Sequence, residues 1–185
     1  MKRMRIAFVL LLFIAAITIA ARAQTQVFVP GNASGAFGNG IDQVVPLVPA
    51  ITVTGPGTIT VTYVSGTVTD DGGTVNTGPN GVQADCRGKQ VPLQEAQGIA
   101  GGKCQHADGL MGVFVPESRV QDKRGFNPID GTKNLTRVGI VPGGLFFIGE
   151  GKAFDAKQAG TLFLGINDCG VAGNGGGFNV EVNGP

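Results

Sequence analysis

The chain reads as all-β, an antiparallel β-sandwich, on three observations. Short runs of alternating apolar and polar residues recur along it, and turn-forming Gly, Pro, Asn and Asp separate them. No stretch after residue 24 keeps apolar residues at the i, i+3, i+4, i+7 spacing of a helix for three turns. The 32 glycines follow no Gly-X-Y period, and no internal repeat is visible, which excludes collagen, propeller and solenoid.

The N-terminus comes first. Lys2, Arg3 and Arg5 precede an apolar run from Ile6 to Ala21, interrupted only by Thr18. Ala21-Arg22-Ala23 closes the run with small residues at the two positions a signal peptidase reads. Residues 1–23 are therefore expected to be a cleavable secretory signal, and residues 24–185 a single exported domain, secreted to a periplasmic or extracellular space. The apolar run is short for a hydrocarbon core ~30 Å thick, so no membrane span is expected after cleavage. Without residues 1–23 the chain keeps ten basic against thirteen acidic residues, a net charge of −3. Nucleic acid is not an expected partner, because releasing phosphate counterions takes a clustered basic face.

Among the strands, Thr58 to Val64 sets Ile59, Val61 and Tyr63 on one face and threonines on the other, the pattern of a strand with one buried side. Val113 to Val115 and Leu145 to Ile148 are short apolar runs suited to central strands. Thr161 to Ile166 places Leu162, Leu164 and Ile166 together, and Phe178 to Val182 alternates again. The turns are read at Gly55-Pro56-Gly57, Asp70-Asp71-Gly72-Gly73, Gly78-Pro79-Asn80-Gly81, Pro142-Gly143-Gly144 and Gly173 through Gly177. Two polar segments, about 84–109 and 119–137, read as surface loop insertions, where binding residues concentrate.

Export permits a disulfide, and Cys86 with Cys104 is the favoured pair, bracketing a step rich in Gly, Gln and Lys; Cys169 is left over. Cys104 and the sole histidine, His106, do not make a zinc site, which needs four ligands.

From residue 27 to residue 182 the order of elements resembles the bacterial calcium-dependent galactose-binding lectins and related galactose-binding-domain-like sandwiches. The resemblance rests on Gly40-Ile41-Asp42, the Gly57-to-Val61 strand, Gly78-Pro79-Asn80-Gly81, and Gly109 to Val113. Its strongest block runs from Phe147-Ile148-Gly149-Glu150-Gly151 through Ala159 to Asp168, then Asn174-x-Gly176-x-Phe178-x-Val180. It implies a jelly-roll sandwich and a lectin-like, carbohydrate-binding function with calcium as cofactor and a glycan as partner. It further implies Asp168 and Asn174 as side-chain metal ligands, with backbone carbonyls near Asp70 and in the Gly170–Val171 turn. Calcium takes six to eight oxygens from carboxylate, amide, carbonyl and water, and glycine lets a loop turn several carbonyls inward. Asp70 is carried as a third metal residue, and Asn167, Asp71 and His106 as ligand-binding candidates. The alternative for each Asp and Asn is capping of its own turn. The chain departs from the lectins at Gly173, where they carry an acid or amide, and after Gly81, where their sugar-contacting histidine is absent.

An enzyme is not expected. A serine triad needs a histidine base and usually a Gly-x-Ser-x-Gly elbow, which the chain lacks. The alternative to a lectin-like module is an exported structural or protein-interaction sandwich that has lost the site.

Overall fold

The computed structural model describes residues 24–33, 47–70, 73, 75–85, 103–117, 145–168, 170 and 173–185, with only the backbone at 85, 103 and 104. Every regular element in them is a strand: β1 (Gln24–Pro30), β2 (Val48–Val53), β3 (Gly57–Thr69), β4 (Asn76–Thr77), β5 (Val82–Asp85), β6 (Lys103–Ala107), β7 (Gly109–Pro116), β8 (Leu145–Phe147), β9 (Gly151–Ala156), β10 (Gly160–Asn167) and β11 (Gly175–Asn183). Two antiparallel sheets carry the fold. One has the order β1-β11-β3, with β9 against the first half of β3 and β4 against its end. The other has the order β2-β10-β7-β8, and β5 and β6 form a separate hairpin.

The sheets meet across one apolar core, as an antiparallel β-sandwich. Val27 and Val29 of β1, Phe178, Val180 and Val182 of β11, and Ile59, Val61 and Val68 of β3 form its first side. Leu162, Leu164 and Ile166 of β10, Leu110 of β7, and Ala50 and Val53 of β2 form the other. The period-2 alternation dictates this, because successive side chains of a strand point to opposite faces. Tyr63 packs against the same core and sets its ring edge-on to Phe178, 6.0 Å between centroids. Its hydroxyl donates to Gly66 O at 2.8 Å, so the polar end is satisfied.

Strand β10 is buried on both faces. Its outer side is covered by Ala33 and Leu47, and a Cβ on Gly165 would sit 2.5 Å from Ala33 O. Ile166 N also donates to Ala33 O at 2.7 Å. A side chain at 165 would push this cover away.

Two expectations are corrected. The glycines from 173 onward do not all make a turn: Gly175, Gly176 and Gly177 belong to β11 and pair with Thr69, Val68 and Thr67. They keep the ladder because Thr67 O lies where a Cβ on Gly176 would stand. The segment at 84–109 is not wholly a loop either, since β5 and β6 pair within it, with Ala84 opposite Cys104. Residues 1–23, 119–137, Cys86, Cys169 and Asp71 lie outside the described residues, as does the Cys104 side chain. No disulfide is present among the described residues, and they contain no helix long and apolar enough to cross a membrane.

Candidate functional site

Four strand ends come together at one tip of the sandwich. Thr69 closes β3 opposite Gly175, the first residue of β11, and its Oγ1 accepts from Gly175 N at 3.1 Å. Asp70 follows Thr69 and Asn174 precedes Gly175, so the two are neighbours across the ladder end. On the other sheet, Asn167 closes β10 opposite Gly109, which opens β7. Asp168 follows Asn167, and Asp108 precedes Gly109. Asp108 N donates to Asn167 O at 2.9 Å, continuing the ladder one step.

Each acid is also built into its own turn. Asp70 Oδ1 accepts from Val75 N at 3.2 Å, and its carbonyl accepts from Gly73 N at 2.8 Å. Asp168 Oδ1 accepts from Gly170 N at 3.1 Å. Asp108 sits at φ 61°, an uncommon left-handed conformation that Asp tolerates better than most residues. That turn aims its carboxyl at the junction of the sheets.

Asn174 joins the parts. Its Nδ2 lies 2.9 Å from Asp168 Oδ2, 3.2 Å from Asp108 Oδ1 and 3.2 Å from Gly31 O. An amide nitrogen has two hydrogens, so three acceptors compete for them. The amide's other end is unbalanced in the opposite sense: Asn174 Oδ1 is buried and has no hydrogen-bond partner among the described residues. Buried polar atoms are nearly always paired, so the orphan oxygen requires an explanation.

Asp108 and Asp168 are only 6 % and 9 % exposed. Burial, and then the Asp168 carboxylate beside it, push the Asp108 carboxyl up to about 7, with Asp70 adding in the same sense. The Asn174 amide donor opposes the shift. Near neutral pH the Asp108 carboxyl therefore stands between its protonated and its charged form.

The structure thus gathers Asp70, Asp168 and Asn174 with Asp108. Sequence reasoning missed Asp108, whose Asp-Gly dipeptide reads as an ordinary turn. Asn167 has a different place: it is fully buried, and its Nδ2 donates to His106 O at 2.9 Å and Gln105 O at 3.4 Å, bracing the end of β6. His106 points elsewhere, stacking on Phe147 with 3.9 Å between ring centroids. Among the described residues no group of three His, Cys, Asp or Glu side chains is arranged to hold a metal ion. A cation here would depend on amide and carbonyl oxygens besides the acids. No family model and no curated protein matches the chain.

Proposed function

We propose that the protein is an exported β-sandwich that binds a calcium ion at the Asp108–Asp168–Asn174 tip and, through it, a glycan. The observation that carries the reading is the Asn174 amide, over-subscribed at nitrogen and orphaned at oxygen. Turned through 180°, the amide would present Oδ1 to Asp108 Oδ1, Asp168 Oδ2 and Gly31 O. An amide oxygen that close to three other oxygens is repelled by them unless a cation lies beside it. A mixed set of carboxylate, amide and carbonyl oxygens is what calcium accepts, with water or ligand hydroxyls completing the shell. The donor set therefore fits the ion, with Asp108, Asp168, Asn174 and the Gly31 carbonyl as its holders and Asp70 contributing charge nearby.

Calcium supplies a strong positive centre with exchangeable positions, to which vicinal hydroxyls of a sugar can bind. The glycan half of the proposal draws on the resemblance of the strand order and of the Asn167-Asp168 and Asn174-x-Gly176 block to calcium-dependent galactose lectins. Export is supported by the signal-like residues 1–23. A glycan array probed in calcium and again in chelator tests the whole. Binding to one sugar class in calcium alone is the expected result, and an array blank in both would reduce the protein to a scaffold.

A further inference from the structure

Strand β1 opens on a glutamine, Gln24. We infer that Gln24, made N-terminal by the cut after Ala23, is a modification site. Its α-amine attacks its own side-chain amide and closes a neutral pyrrolidone ring. This rests on the export part of the proposed function, and on neither the calcium nor the glycan.

The pairing of β1 leaves both reacting groups of Gln24 free. Gly31 N donates to Gly176 O at 3.0 Å. Val29 O lies 2.4 Å from where a Cβ on Gly177 would stand. The odd-numbered residues therefore aim their backbone groups into the β11 ladder, and in a strand the next residue aims its own the other way. The register runs without a shift from Pro30 opposite Gly177 to Gln24 opposite Asn183. Phe28, Gln26 and Gln24 thus turn their backbone groups to the outer edge, where no further strand among the described residues pairs with β1. Pro30 fits that edge, because it has no N–H to give there. Its carbonyl accepts from Ala33 N at 2.9 Å instead. The Gln24 nitrogen is outside the ladder and the residue is exposed, so cyclisation breaks no bond that holds the sheet.

The chemistry needs no co-reactant. An α-amino group loses its proton near pH ~7.7–8.0, so close to neutral pH a share of the molecules holds the nucleophilic free base. The amine lone pair attacks Cδ of the Gln24 side chain. A bond forms between N and Cδ, the bond from Cδ to Nε2 breaks, and Nε2 leaves as ammonia with the proton that the amine gives up. The product is a lactam whose N–H still faces the open edge and whose terminal charge is gone. Without a free amine the terminus is closed to ordinary aminopeptidases. That guards β1, which carries Val27 and Val29 into the core.

The test expresses the full chain, residues 1–23 included, in a secreting host. The exported protein is reduced and weighed intact by mass spectrometry. The expected mass is that of residues 24–185 less one ammonia, with fragment ions placing the loss on Gln24. Stepwise chemical degradation from the N-terminus should be blocked, and pyroglutamate aminopeptidase should lift the block. Gln24→Ala, which has no side-chain amide to attack, should leave by the same cut with an open N-terminus. A chain that begins at Gln24 with a free amine overturns the inference and leaves export standing. A chain that begins at any other residue overturns the cut, and the modification with it. A Gln24→Ala terminus that is still blocked puts the block on another group and overturns the inference as well.

Discussion

Asn174 Nδ2 lies 2.9 Å from Asp168 Oδ2, and that bond ties the residue entering β11 to the residue leaving β10. The two strands belong to different sheets, so one side-chain contact fastens the sandwich at this tip. The amide also reaches Asp108 Oδ1 and Gly31 O, each at 3.2 Å.

Removing that donor leaves Asp108 and Asp168 face to face. Asn174→Ala should cost about 1–3 kcal/mol at neutral pH in chelator, the penalty of buried acceptors that lose a donor. Chemical denaturation measures it. A loss within error of zero would mean that the amide is incidental.

Asp108 gives the tip a pH dependence whose sign follows from its shift. The folded protein holds the Asp108 proton up to about 7, whereas the unfolded chain releases it near 3.8. Between those values the folded state binds the extra proton, so stability falls as pH rises and the penalty is complete above about 7. The facing groups are Asp168 and Asp70, whose negative charges act in this sense, and the Asn174 amide, which acts against it. Melting in chelator across this window should show the decline, and Asp108→Asn should flatten it. A slope unchanged in that variant would place the titration elsewhere.

The core makes a contrasting pair. Phe178 is fully buried between the sheets, whereas Phe28, on the outer face of β1, is 52 % exposed. Phe178→Ala should lose about 3–5 kcal/mol. Phe28→Ala should lose about 1 kcal/mol or less, since a largely exposed side chain leaves no cavity. Equal losses would contradict the facing assigned to these strands.

Gly176 is at φ 68°, and Thr67 O occupies the place of its missing Cβ. Gly176→Ala should therefore destabilise by more than the ~1 kcal/mol that alanine can gain from reduced freedom of the unfolded chain. A neutral or stabilising result would refute the close approach of β11 to β3.

Strands such as β3 and β10 were legible because burial on a sheet writes itself as alternation, and Ile59-x-Val61 or Leu162-x-Leu164-x-Ile166 has no other reading. The Gly175-to-Gly177 run was misread for a physical reason. Glycine signals a turn when the backbone needs freedom, yet here it admits a neighbouring strand's carbonyl. Asp70, Asp168 and Asn174 were legible as strand-end oxygens. Asp108 was not, because its meaning depends on Asn167 pairing β10 with β7 from far along the chain. Nor could local sequence have shown the stacking of His106 on Phe147, which lie 41 residues apart.

The central claim is that the tip holds calcium. Thermal melting of the full domain with ~10 mM calcium or with chelator tests it most directly, because an ion that binds only the folded state must stabilise it. For affinity near ~1 mM, usual for extracellular sites, the gain is about 1.4 kcal/mol, or about 3 °C or more in Tm. Asp168→Ala should remove that rise while keeping the fold. A parent protein whose melting is the same in calcium and in chelator would contradict the account.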